Sequence, residues 1–442
     1  MNRILLINSP IFDFKINNDD ENYLYPFGLG YIATNLIKNN IDVKIIDCVK
    51  DNLITRDIIN VIEKEKPDFV GINIFSTNYH IIKRIVENTK AIFIIGGQTL
   101  KYIYEDIFKW KTNNRLYLVI GEGDYIVTDI VLNKVKELVS LINENIKIYN
   151  IDYKSLYFPK DLSKVFLNRE KLNIVPINNF YNLKESSIIT SRGCCYNCAF
   201  CGAARSLNKN TYIRELKYND ILDEIKYIKK ISKDTECIRI LDDLFLKNDK
   251  DIDKAIRLFS QVSLKWRSMA HVLTFTKTSY YNLLTLRNSG CIELFIGIES
   301  GSNRIREMIN KKGSVNLVYE VIKRLLIAGI NIKGYFIYGF PKENLFDFNS
   351  TYNLAKSLKN LSLKYPGNFR VSVFQFRPYI GTQLYYNILN ENMKIENYTP
   401  NIGLNSLEQR KQFNFESGNF SNCSKEDINT FIINTMNLNN LK

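Results

Sequence analysis

The feature that most constrains this chain is an alternation of short apolar runs with amphipathic stretches, and it occurs twice. In residues 1–150 the apolar runs are RILLINSPIF (3–12), VKIIDC (43–48), FVGINIF (69–75), AIFIIGG (91–97) and LYLVIGEG (116–123). Segments of helical periodicity separate them at 28–40, 55–66 and 77–90, and DYIVTDIVLNKVKEL follows the last. A second series runs through SSIITS (186–191), CIRILDD (237–243), WRSMAHVL (266–273), CIELFIGIES (291–300), NIKGYFIYGF (331–340) and FRVSVFQFRP (369–378), with helical segments at 218–232, 250–263, 278–289, 314–328 and 344–360. Strands this apolar must be covered on both faces, which implies parallel sheets under helices. The expected fold class is α/β. A doubly wound, Rossmann-like domain over 1–145 and a linker over 146–185 precede a partial (β/α)6 barrel over 186–385, because six strands fall short of a closed eight. A small C-terminal region, 386–442, ends in a helix near 424–437.

The 442-residue length calls for more than one core. A hydrophobic share of 45% and a charged share of 24% are those of a soluble globular protein. No apolar run approaches the roughly 20 residues of a membrane helix. The opening MNRILLINSP reads as a strand and not as a signal peptide, so a cytoplasmic address and no membrane partner are expected. The net charge is +14, yet the lysines are interspersed with acids, as in DEIKYIKKISKD, and form no basic block. Nucleic acid is therefore not the expected partner.

Four of the eight cysteines fall within SRGCCYNCAFCGAARS (191–206), on the loop after the first barrel strand. Barrels place their chemistry at that end. Cys48, Cys237 and Cys291 lie in or beside apolar runs and read as buried thiols, which is not a disulfide framework. Cys194, Cys198 and Cys201 have a useful ligand spacing. Thiolates select zinc or iron–sulfur clusters. Structural zinc takes four ligands, and the fourth is hard to supply. Cys195 abuts Cys194, and the two histidines, His80 and His271, are far off in sequence. Three thiolates in one loop suit a four-iron cluster with one iron open. A zinc-stabilised nucleic-acid module is the competing reading, with an RNA affinity that falls steeply with salt.

The CCYNCAFC segment resembles the CxxxCxxC loop of radical S-adenosylmethionine (SAM) enzymes, with Phe200 as the aromatic before the last cysteine. The resemblance implies a [4Fe–4S] cluster on Cys194, Cys198 and Cys201 and SAM bound to its open iron. It also implies reductive cleavage to a 5′-deoxyadenosyl radical that abstracts hydrogen from a small substrate. Other segments fit in order. LDDLF resembles the segment facing the methionyl amine, through Asp242 or Asp243. GIESGS resembles the ribose segment, with Glu299 and Ser300. YFIYGFPKE resembles the adenine segment, with Ile337 and Gly339. RPYIGTQLY resembles the sixth-strand segment, with Ile380 in place of proline, and Arg214 falls where the family often has an arginine. His271, on the third barrel strand, is a candidate substrate contact, whereas His80 reads as a helix-surface residue. Cys195 is left without a role.

Residues 1–145, through YPFGLGYIATNLIKNNIDVKIIDC, IIGGQTL and VIGEGDY, resemble the cobalamin-binding domain of one radical SAM branch. Ser76, Gly96 and Gly97 are its expected contacts. The DxHxxG motif of the methionine-synthase type is absent, so no histidine is offered to the lower axial face. The resemblance implies cobalamin-dependent methyl transfer and an electron donor such as flavodoxin or ferredoxin. The alternative is a radical dehydratase, epimerase or rearrangement enzyme with a vestigial first domain. A tRNA methylthiotransferase is disfavoured because residues 1–185 hold a single cysteine, Cys48.

Overall fold

The computed structural model describes residues 2–10, 12–14, 23–137, 141–395, 398 and 418–441. Five of the expected runs are strands β1 (Arg3–Asn8), β2 (Asp42–Asp47), β3 (Phe69–Asn73), β4 (Ile92–Gly96) and β5 (Leu116–Gly121). Two more, β6 (Leu141–Asn143) and β7 (Ile146–Ile151), extend the sheet to the order β2-β1-β3-β4-β5-β7-β6. All neighbours are parallel except β6 and β7. The expected helices form at Phe27–Lys38, Thr55–Glu65 and Tyr79–Glu87. A doubly wound sheet with order 2-1-3-4-5 reverses between β1 and β3, where such sheets bind ligands.

Several boundaries differ from expectation for local reasons. The 3–12 run stops at Asn8 because the Ser9 amide and hydroxyl both turn to Asn73 (2.8 Å to Oδ1 and to O), and Pro10 has no N–H to donate. The stretch after β5 forms a helix at Ile126–Val131, ended by Asn133 in the left-handed region (φ 53°). Helix Leu100–Ile107 was not anticipated; it buries Leu100, Ile103 and Ile107 along one stripe. The segment expected as a linker opens with β7, whose Ile146, Ile148, Tyr149 and Ile151 are buried.

The second sheet contains β8 (Ile177–Asn178), β9 (Lys184–Ile188), β12 (Cys237–Ile240), β13 (Lys265–Ala270), β14 (Cys291–Glu299), β15 (Asn331–Tyr338) and β16 (Phe369–Gln375). A separate two-stranded hairpin pairs β10 (Ser191–Arg192) with β11 (Arg214–Glu215). The order β16-β15-β14-β13-β12-β9-β8 is an open barrel of six parallel strands in chain order, with β8 antiparallel at one edge. The five expected helices form at Tyr218–Ile231, Asp249–Val262, Tyr280–Asn288, Val315–Ile327 and Leu345–Ser362. The expected terminal helix, Lys425–Asn437, covers the outside of the sheet, where Thr435 Oγ1 meets the Tyr338 hydroxyl at 2.8 Å. The rest of the expected C-terminal region, apart from 386–395, Tyr398 and 418–441, lies outside the described residues.

One end of the barrel is closed by charge. Arg267 makes a two-pronged contact with Glu185 (both 2.7 Å) and reaches Glu293 (2.9 Å), which also accepts from Arg370 (2.6 and 3.0 Å) and the Tyr181 hydroxyl (3.0 Å). Buried guanidinium–carboxylate pairs offset desolvation only with such complete partnering.

The chain divides into two compact units. The first runs to Ile174 and takes in Asn210–Tyr212 and a later stretch that includes Tyr398; the second contains the barrel. Within the first, Tyr398 stacks on Tyr79 (centroids 3.8 Å apart, planes at 15°) and donates its hydroxyl to Asp106. Among the described residues, no helix is long and apolar enough to cross a membrane.

Candidate active site

The cysteine loop leaves the barrel through Gly193, whose φ of 100° suits glycine and few other residues. The loop is pinned at many points. Arg205 N–H donates to Tyr196 O (2.9 Å), Asn310 Nδ2 to Asn197 O (2.7 Å), Ala199 N–H to Ile309 O (2.9 Å) and Leu384 N–H to Ala199 O (3.0 Å). Phe200 meets Phe340 edge-on at 5.6 Å and packs beside Ile337 in one apolar cluster.

Cys194, Cys198 and Cys201 are partly buried, and Cys195 is exposed. Burial raises all three candidate ligands, Cys201 to about 12. Cys194 further raises Cys198 and Cys201, so the thiols are electrostatic neighbours. Among the described residues, no three His, Cys, Asp or Glu side chains are arranged to hold one metal ion. A cluster differs from a lone ion in giving each thiolate its own iron. The donor set of three soft thiols on one anchored loop fits that group. Assembly there must release protons, since only thiolates ligate.

Positive charge gathers beside Cys198. Lys311 is buried against Glu299 (Nζ–Oε1 3.0 Å); burial lowers its pKa, but Glu299 and Cys198 more than reverse this. Burial brings Arg306 down to about 10, and its guanidinium holds the carbonyls of Ile298, Lys312 (3.0 Å) and Gly313 (2.8 Å). Such cations offset the charge of a thiolate-ligated cluster.

The expected SAM contacts separate into two groups. Asp242 is spent on structure: its oxygens accept from the Thr190 amide (2.6 Å) and the hydroxyls of Thr190 (2.6 Å) and Ser191 (2.7 Å). Asp243 is exposed and accepts the Gly193 amide (3.1 Å), next to Cys194. Glu299 sits at a register shift of β14 with φ 67°, held there by Lys311; a Cβ on Gly297 would stand 2.2 Å from its Oε1. Ser300 is fully buried against Thr351 (3.1 Å). Ile337 lies on the inner face of β15, partly exposed, and Gly339 follows that strand with φ 92°. The Gly339 and Phe340 amides both donate to Glu343 Oε2 (2.8 and 2.9 Å).

His271 is buried and stacks on Tyr196 of the cysteine loop (4.1 Å, 22°). Burial, then Lys311 and Arg306, depress its pKa to about 3. Its Nδ1 accepts the Leu273 amide (3.2 Å), so the hydrogen belongs on Nε2, which has no partner among the described residues. His80 is exposed on its helix. Arg214 is buried on β11. Tyr196, Lys311, Arg306 and Glu343 were not singled out from sequence. Tyr196 and Glu343 had a signal, as members of CCYNCAFC and YFIYGFPKE.

In the first unit the expected contacts converge beside the β1/β3 switch. Ile74 N–H donates to Gly96 O (2.8 Å), and a Cβ on Gly97 (φ 126°) would stand 2.6 Å from Ile74 O. Ser76 is buried two residues beyond Ile74. Around them Ser9, Asn73 and Asn78 share hydrogen bonds (Asn78 Nδ2 to Ser9 Oγ 2.7 Å).

An open six-stranded parallel barrel with a three-cysteine loop after its first strand defines a radical SAM enzyme. The family model for the radical SAM superfamily matches residues 188–355, and the B12 binding domain matches 16–131. The chain thus carries a radical SAM domain preceded by a B12-binding domain. Those domains imply SAM, a [4Fe–4S] cluster and cobalamin as cofactors. An uncharacterised methyltransferase of Pyrococcus horikoshii is 26% identical over 406 residues, covering 88% of this chain and 84% of that protein. Cytidylyl-2-hydroxyethylphosphonate methyltransferase of Streptomyces wedmorensis is 24% identical over 446 residues, covering 86% and 80%. Among solved structures, the cobalamin-dependent SAM radical enzyme OxsB, with aqua-cobalamin and SAM bound, shares the fold at a TM-score of 0.64 and 15% identity. The match covers 98% of this chain and 66% of OxsB. The radical SAM methyltransferase TsrM from Kitasatospora setae does so at 0.62 and 15%, covering 88% and 76%.

Proposed function

We propose that this enzyme cleaves SAM reductively and transfers a methyl group to a small molecule with the help of cobalamin. The observation that carries the proposal is the anchored loop with Cys194, Cys198 and Cys201 beside Asp243 at one mouth of the barrel. When bound there, a [4Fe–4S] cluster supplies the electron for SAM cleavage, and cobalamin in the first unit supplies a methyl carrier. The three thiols would hold the cluster, with Lys311 and Arg306 balancing its charge. Asp243 would accept from the methionyl ammonium, since Asp242 has no oxygen left to offer. Ile337 and Gly339 would pack along the adenine under Phe200 and Phe340, which keep water out. Ser76, Gly96 and Gly97 would border the corrin. Two relatives of this chain bear methyltransferase names, which favours methyl transfer over dehydration or rearrangement. A one-electron protein donor would supply the reductant.

The test is anaerobic reconstitution of the wild type and of Cys198→Ala, with iron, sulfide and 5′-deoxyadenosine quantified. The variant is expected to lose cluster iron and to form 5′-deoxyadenosine at least roughly a hundredfold more slowly, about 2.7 kcal/mol in barrier. Equal yields from the two proteins would overturn the proposal. Cobalt and a corrin spectrum in the wild type report the second cofactor.

A further inference from the structure

Among the described residues, Arg239 on the inner face of β12 is a cation that forms no ion pair. Arg239 projects inward from β12, on the same face as Cys237, whose Sγ lies 3.3 Å from Glu185 Oε2. Its guanidinium lies over the Phe295 ring, 5.1 Å from the centroid. Arg267 and Arg370 take up Glu185 and Glu293. Among the described residues Arg239 makes no hydrogen bond or ion pair, and its Nε is buried without an acceptor. Burial and the like charge of Arg267 lower its pKa. Arg239 is half-buried, and a guanidinium partly withdrawn from water with its Nε dry and unpaired bears part of the cost of an unpaired buried charge. The Phe295 ring returns only part of that and offers no acceptor to five N–H donors. An apolar side chain would pack on Phe295 at no such cost, so stability does not account for the arginine.

Depth separates this group from the SAM contacts. Arg239 precedes Asp243 by four residues, about 13 Å toward the closed end at ~3.3 Å per residue. The inner face between them is not sealed: Met269, Tyr335, Ile337 and Phe374 all keep partial exposure. A filled barrel would bury them.

We propose that Arg239 anchors an oxyanion of the substrate, a carboxylate or a phosphate-type group, at the bottom of the barrel lumen. This rests on the barrel being the substrate chamber of the function proposed above. The planar fork of a guanidinium matches such groups through two parallel hydrogen bonds. The substrate then stands with its charged end down and its reacting carbon toward the cysteine loop. A neutral analogue leaves the guanidinium unsatisfied and is rejected.

Calorimetric titration of the full-length, reconstituted protein tests this, with methylphosphonate, inorganic phosphate, acetate and uncharged acetamide as probes. At least one anion is expected to bind the wild type, and acetamide is not. Arg239→Met is expected to weaken that binding tenfold or more, with Arg239→Lys between the two. Arg239→Met is also expected to melt no lower than the wild type. Preference for acetate assigns a carboxylate, and preference for the tetrahedral anions a phosphate-type group. Absence of anion binding by the wild type overturns the proposal. So does unchanged binding by Arg239→Met, the result of a purely structural arginine. Substrate-free formation of 5′-deoxyadenosine by the wild type is measured in parallel. Its absence removes the proposed function, and the titration judges Arg239 by itself.

Discussion

Glu343 is a residue whose charge state bears on stability. Its carboxyl is fully buried, one oxygen serves two backbone amides, and the other, Oε1, has no partner among the described residues. Burial raises its pKa to about 8. The folded value lies above the unfolded one, near 4.5, so the contribution is fully present below pH 4.5 and is lost as pH rises through 8. Glu343→Gln keeps an acceptor for both amides and cannot ionise. Its stability relative to the wild type should climb with pH, reaching roughly 2–4 kcal/mol near pH 8. Denaturant melts from pH 5 to 9 check this, and a pH-independent difference would refute it. At this scale the sequence is informative about residue type and silent about direction. It left Asp242 and Asp243 equivalent. Only the fold turns the first onto Thr190 and Ser191 and leaves the second at the cysteine loop. Glu299 was legible as an acid at a strand end, but its partner Lys311, twelve residues on, carried no pattern.

Central strands such as β1, β3 and β14 were legible because they are buried on both faces and therefore apolar along most of their length. What escaped were the inward charges that interrupt those runs, because a single sequence does not say which charges meet. Glu293 is the hub: it accepts from Arg267, Arg370 and Tyr181 and so couples β13, β14 and β16. Glu293→Gln should destabilise the barrel by about 3–5 kcal/mol, because Arg370 loses its counter-charge in a buried site and Arg267 keeps only Glu185. Chemical denaturation of this variant measures the loss, and a change under about 1 kcal/mol would mean water already screens the network. Short elements were the harder part. Helix Leu100–Ile107 has only three buried positions to mark it, and β7 belongs to the first sheet solely through its pairing with β5.

The whole molecule is two compact units with separate sheets, so unfolding should show two transitions. A cobalamin that binds the first unit raises one of them, by about 2.7 kcal/mol at a hundredfold excess over Kd. Scanning calorimetry with and without hydroxocobalamin checks this; two unmoved transitions would indicate a vestigial first domain. Tyr398 closes the stack on Tyr79, which also packs against Trp110 at 5.5 Å. The first unit thus draws on residues from both sides of the barrel segment in the sequence. At roughly 5–20 residues per second, synthesis from Trp110 to Tyr398 leaves that aromatic face open for about 15–60 s. A nascent chain stalled before residue 398 would present it to chaperones, and a protein cut at 395 would carry it uncovered for life.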